Sequence, residues 1–373
     1  MISKGSEIFA SDGFVFTSDI ELPFLIAFKD QTDGSHKIVA THLGYSEPKT
    51  LFDDGDRTLS CPLLFSADGK TLYHSHSQIY AIDVTTGSIN NLTSFIEREQ
   101  FSVIWFLKYC PTNRRLLFSQ SLWNDFDKQG VRRICSISVE GNDLSILLES
   151  HKDSRIWQAD YEWKNDLLIV SMIARQTGSE LWVLKPGRPD RLQTYPLPEY
   201  VDGVELSPDG HTVALFAYSK GMYLLNIDSG ELTRLNEFGL NPAWSPDCSK
   251  IAFMKDDHEL CLLHLSDMSS QRLVWFEKGN SLMTRMGDSY AQKPAWSADG
   301  RFLWFALTRR QGSIDHARNS ADDLAERTKK IMRSANLKLH LSHKVGIVDF
   351  IDRRIWITDG HWTDLTWSPV FES

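Results

Sequence analysis

Residues 293–305 read KPAWSADGRFLWF, and residues 241–253 read NPAWSPDCSKIAF, one phrase written twice and 52 positions apart. A recurring unit of this size constrains the fold more than any single motif, because one unit cannot bury its apolar face without neighbours stacked beside it. With Ser245 as the marker, equivalents stand at Ser66, Ser207, Ser297 and Ser368, and degenerate copies place Cys110 and Lys164 at the same point. The successive intervals are 44, 54, 43, 38, 52 and 71 residues, the last of which carries an insertion. Seven copies at this spacing describe blades.

Each copy supplies a strand before the marker, a turn at it and an alternating strand after it. In LSPDGHTVALFA the Pro presets φ at the second turn position, the Asp caps the backbone and the Gly accepts φ > 0. A third strand follows, as in GMYLLNID or SQIYAIDV, and a fourth closes the unit, as in LTRL or INNLT. Four antiparallel strands per unit and seven units predict an all-β, seven-bladed propeller, which hides its sheet edges by radial repetition. Trp163, Trp244, Trp296 and Trp367 share one repeat position, where a large ring is expected to pack between blades. The C-terminal HWTDLTWSPVF holds a first strand and a turn entry only. PFLIAFKD, HKIVATHL and EPKTLF near the N-terminus read as strands two, three and four, so both termini are expected to share a blade and close the ring.

The repeat resembles that of the TolB-type propellers, approximately P-x-W-S-P-D-G-x-x-I-A-F, most closely at Pro242 to Phe253 and Pro294 to Phe305. The resemblance implies a six- or seven-bladed ring and a protein- or ligand-binding role. The tryptophan–aspartate repeat differs, since no blade here ends in Trp-Asp. The chain is read as a single propeller domain over residues 1–373, with a helical insertion at about 309–343 in the last full blade. Forty basic against 49 acidic residues, with no Lys/Arg block, argue against a nucleic-acid partner. Five Cys without a C-x-x-C pair, and a start lacking an apolar h-region, read as a reduced, cytoplasmic protein. No run approaches eighteen apolar residues, so no membrane span is expected.

The linear motifs of common enzymes are missing: no G-x-S-x-G elbow, P-loop, dinucleotide fingerprint or H-E-x-x-H. No catalytic residue and no cofactor are therefore expected, and the leading reading is a recognition module for a protein, peptide or small-molecule ligand. Its site is expected at one channel mouth, framed by residues 122–133, 276–293 and 309–343. Trp123, Arg285, Asp288 and Tyr290 carry the side-chain types that dominate binding hot spots or their polar contacts. In the insertion, Ser320 and Asp323 form a capping-box variant, and Leu324, Thr328, Ile331, Met332 and Ala335 follow helical spacing. Arg327, Lys329, Lys330 and Arg333 would then give this helix a basic face for a partner of negative charge. Two alternatives stay open. One is a structural subunit of a complex. The other is a metal-assisted lyase or hydrolase acting on a saccharide or small ester, with a divalent transition metal on His74, His76, His340 and His343. Some seven-bladed lyases acting on oligogalacturonate hold a metal on histidines near the ring axis, a precedent in fold without a motif matched here.

Overall fold

The computed structural model describes residues 8–30, 37–44, 47–53, 62–75, 78–95, 102–104, 106–122, 131–150, 154–174, 178–186, 191–198, 200–217, 221–235, 239–255, 259–276, 293–311, 340–358 and 362–369. Their strands form seven sheets, each built on four antiparallel strands and each entered from its innermost strand. In chain order, blade 1 spans Leu63–Asn91, blade 2 Leu107–Glu149 and blade 3 Ser154–Leu197. Blade 4 spans Gly203–Arg234, blade 5 Leu240–Phe276 and blade 6 Ala295–Thr358. Blade 7 takes its inner strand, Trp362–Trp367, from the C-terminal end. Its other three, Ile26–Asp30, Lys37–Thr41 and Lys49–Asp53, come from the N-terminal region. The expected closure by both termini is therefore present, with Ile26 paired to Trp367 and Asp30 to Trp362.

The core has a matching sevenfold form. Among the described residues, seven buried apolar clusters each lie between two neighbouring blades, as where Ala214 and Phe216 of blade 4 meet Trp244 and Phe253 of blade 5. Alternation along each strand sends one face to each neighbour, so both faces of every blade are buried. The tryptophan column adds direction to this packing. The indole N–H of Trp244 donates to the Glu205 carbonyl (3.1 Å), that of Trp296 to Ala243 (3.0 Å) and that of Trp367 to Ala295 (3.0 Å). Each ring thus ties its blade to the inner strand of the blade before it.

The turns repeat as closely. The hydroxyls of Ser66, Ser207, Ser245 and Ser297 donate to Asp68, Asp209, Asp247 and Asp299 at 2.5–2.6 Å. Each Asp accepts the backbone N–H two residues on, at 3.0–3.1 Å, while each Ser oxygen accepts the N–H that opens the second strand. Gly69, Gly210 and Gly300 take φ of 69°, 78° and 72° at the following position. In blade 5 Cys248 occupies that position at φ 57°.

Blade 3 corrects the expected alignment. Tyr161 pairs with Leu168 as Trp244 pairs with Ile251, so the marker there is Glu162, two residues before Lys164. The Glu162 carboxylate caps the turn by accepting the N–H groups of Lys164 and Asn165, both at 2.8 Å. Trp163 is consequently a turn residue with 43% of its surface exposed, and Tyr161 fills the gap between blades 2 and 3.

The insertion is also narrower than 309–343. Arg309, Arg310 and Gln311 pair with Ser342, Leu341 and His340 as an extension of the hairpin between strands two and three. The expected helix over residues 320–335 lies outside the described residues. Two short N-terminal strands have no counterpart in the sequence reading. Ile8–Ala10 pairs antiparallel with the outer strand of blade 5, and Val15–Thr17 pairs parallel with that of blade 6. This strap covers two sheet edges that would otherwise stand open. Phe9 stacks on Trp275 (5.8 Å), and Phe14 meets Phe350 edge-on (6.0 Å).

Candidate functional site

Side chains alternate along a strand, so residues two and four positions before each marker point to the same side of the inner strand. In a propeller the inner strand is the one nearest the ring axis, so these positions border the channel. Read blade by blade, the position two before the marker holds Leu64, Lys108, Asp160, Glu205, Ala243 and Ala295 in blades 1 to 6. The position four before it holds Pro62, Phe106, Gln158, Gly203, Asn241 and Lys293. All twelve line one cavity of about 590 Å³, which Leu365 of blade 7 completes. The cavity runs from Pro62, Asp202 and Lys293 at one level to the turn residues Pro208, Pro246 and Ala298 at the other. Its volume falls in the range of small-molecule sites.

The lining is lopsided. Blades 2, 3 and 4 present Lys108, Asp160 and Glu205 side by side, and blades 5 and 6 present the small Ala243 and Ala295. Lys108 Nζ lies 2.7 Å from Asp160 Oδ1. The other oxygen of Asp160 accepts the Leu206 N–H of blade 4 at 2.8 Å, so this buried carboxylate has a fixed orientation. Lys293 of blade 6 forms an ion pair with Glu205 of blade 4, passing over blade 5 within the lumen. The Trp244 indole holds the Glu205 backbone from the side. Gly203 leaves the room that the Phe216 ring takes up in reaching the cavity wall. Lys164 and Asp202 line the same space, so three ammonium groups and three carboxylates border one partly open cavity with no net charge between them.

Enclosure alters the chemistry of Lys293. Burial, then the neighbouring Lys108 ammonium, pulls it down to about 8, with Asp160 opposing the fall. The Glu205 carboxylate in contact with it also works upward. Its side chain keeps 42% of its surface free where it lines the cavity, so solvent reaching that surface moderates the effect of burial. A lysine in such a place exchanges its proton near neutral pH and holds an anion strongly when charged. Trp304, 1% exposed, borders the same cavity, and its indole N–H meets no acceptor among the described residues.

Trp123, Arg285, Asp288, Tyr290, Lys329, Lys330 and Arg333 lie outside the described residues, as does His76. His74 is fully buried in the second strand of blade 1, against the rings of Phe52 (5.7 Å) and Tyr80 (6.2 Å), and does not line the axial cavity. His340 and His343 sit on the third strand of blade 6, opposite Gln311 and Thr308. Among the described residues no group of three or more His, Cys, Asp or Glu is placed to hold a metal ion. Likewise none of their helices is long and apolar enough to cross a membrane.

The charged tier escaped motif reading because its members stand 45 to 88 residues apart. One signal was present: aligning the repeats in a column shows Lys, Asp and Glu at a position that other blades fill with Leu or Ala.

No protein-family model and no curated protein sequence matches the chain. Solved structures do match it. An oligogalacturonate lyase in complex with manganese aligns with a TM-score of 0.58 and 12% identity, over 81% of this chain and 93% of that one. The oligogalacturonate lyase of Vibrio parahaemolyticus aligns at 0.56 and 11%, over 81% and 95%. A chain of the mitotic checkpoint complex aligns at 0.52 and 11%, over 81% and 90%. At such identities the likeness shows the fold, a seven-bladed β-propeller, in company with both enzymes and subunits of assemblies.

Proposed function

We propose that this propeller is a non-catalytic recognition module whose binding site is the axial cavity, suited to a small ligand or the tip of a peptide. The observation that carries the reading is the tier of Lys108, Asp160, Glu205 and Lys293 inside a space of about 590 Å³. A ring needs only apolar or small residues on its axis to stand, and four ionised groups there cost desolvation. Such a cost is reasonable where the groups meet a ligand. The test uses a small-molecule extract of the source cells and two forms of the full chain. The extract should raise the melting temperature of the native protein, since a ligand binding only the folded state stabilises it. The same extract should leave an Ala243→Leu variant, with its cavity partly filled, unmoved. An equal shift in both forms would place the site elsewhere.

A second reading is favoured by the two lyase structures among the fold's neighbours: a metal-assisted enzyme acting on a saccharide. Near-stoichiometric manganese, zinc or iron in the native protein, with a melting temperature lowered by chelation, would support it. Elemental analysis of metal-free baseline, with melting unaltered by chelator or added manganese, would favour recognition.

A further inference from the structure

Resting on the axial-site reading, we infer that the cavity recognises a small zwitterion, a molecule carrying an ammonium and a carboxylate a few bonds apart. Of the six charged residues that line the cavity, four form two opposite pairs, Lys108 with Asp160 and Lys293 with Glu205. A lone anion that takes an ammonium from its partner strands a carboxylate in a partly enclosed space, and a lone cation strands an ammonium. Either is costly. A zwitterion avoids both outcomes by exchange. Its carboxylate takes Lys293, its ammonium takes Glu205, and no buried charge is left alone.

The geometry favours the Lys293–Glu205 pair as the one that opens. Asp160 is held twice, by Lys108 and by the Leu206 N–H, whereas the Lys293–Glu205 pair bridges the lumen beside the space left by Ala243 and Ala295. That space is bounded by apolar surface, including Pro242 and the Trp296 ring, which suits a short apolar substituent next to the charged ends. Free amino acids and short peptides share this chemistry, and the arms of the test separate them.

The exchange also predicts proton uptake. An added carboxylate favours the charged form of Lys293, which is partly neutral near pH 8. Isothermal titration of the full chain at pH 8 provides the test, using glycine, L-alanine, L-leucine and the dipeptide alanyl-alanine as zwitterions. Acetate, ethylammonium and glycerol serve as the singly charged and neutral probes. The zwitterions should bind about tenfold or more tightly than acetate or ethylammonium, with heats that differ between buffers of different ionisation enthalpy. Tighter binding of the amino acids points to a free amino acid, and tighter binding of the dipeptide to a peptide.

Lys293→Met and Ala243→Leu should each weaken zwitterion binding about tenfold or more. Should Lys293→Met fail to fold, the paired change Lys293→Met/Glu205→Gln removes both charges together and reads the same loss. Equal binding of acetate, zwitterion heats that persist in Ala243→Leu, or no heat from any zwitterion would overturn the inference. If no zwitterion binds while the cell extract still stabilises the native protein and not Ala243→Leu, the ligand class is wrong and the axial site stands. If both fail, the axial-site reading falls with it.

Discussion

Two columns of the same repeat behave in opposite ways. The turn column has Ser, Asp and a left-handed residue in four blades, with hydroxyl–carboxylate bonds alike to within 0.1 Å. The axial column, two residues earlier, changes from Leu to Lys, Asp, Glu and Ala around the ring. The turn must solve one backbone problem in every blade, so one solution recurs. The axis is where side chains of several kinds meet one space, and their differences give that space its chemistry. Uniformity marks what the ring needs to stand, and departure from uniformity marks where it can be particular.

The largest expected effect tests the uniform part. Deleting residues 362–373 removes the inner strand of blade 7 and exposes the edge of Ile26–Asp30 together with the flank of blade 6. The product should be insoluble or melt far below the full chain. A truncated chain that melts like the intact one would break the description of closure.

Next comes the tryptophan column, which contains its own control. Trp244 is buried between blades 4 and 5 and bonded to Glu205, and its change to Ala should cost about 3–5 kcal/mol. Trp163 sits exposed in its turn, and the same change there should cost about 0.5 kcal/mol or less. Urea titrations of the two variants check the pair. Equal costs would restore Trp163 to the column and undo the blade 3 alignment.

A smaller effect comes from the irregular member of the turn column. Cys248 holds a left-handed φ that glycine holds in three other blades, so Cys248→Gly should stabilise the protein by up to about 1 kcal/mol in the same titration. The carboxylates of that column set the acid limit. A hydroxyl hydrogen bond from the neighbouring Ser holds Asp68 below its usual value, and Asp247 at about 2. Both are lower folded than unfolded, so their contribution is complete above about pH 4 and is lost as pH falls toward 2. Melting temperatures measured across that window should fall, and Asp247→Asn should make the fall shallower.

This contrast also explains what the sequence disclosed. Turn chemistry is local and strong, so Ser-Pro-Asp-Gly revealed the blade count, and the incomplete C-terminal copy revealed the shared blade. Glu162 was missed because a carboxylate performed the task of a hydroxyl within a motif that no longer looked like one. The strap was missed because IFA and VFT are too short to show a period. The axial tier depends on which positions face one another across a closed ring. That is a property of the closure rather than of any segment, so no stretch of sequence carried it. The expected mouth residues were chosen by loop length and side-chain type, and they lie outside the described residues.

The most direct measurement is the titration of the lysines themselves. Reductive methylation with ¹³C-labelled formaldehyde gives each lysine a resonance whose shift follows its protonation. One resonance, absent from the Lys293→Met spectrum, should titrate near pH 8, while exposed lysines titrate at about 10.4. Because that value is lower in the folded than in the unfolded chain, stability should rise between pH 8 and about 10 by an increment that Lys293→Met removes. If the Lys293 resonance titrates with the surface lysines, the axial cavity is open to bulk water, the charged tier is ordinary surface, and the site proposed here does not exist.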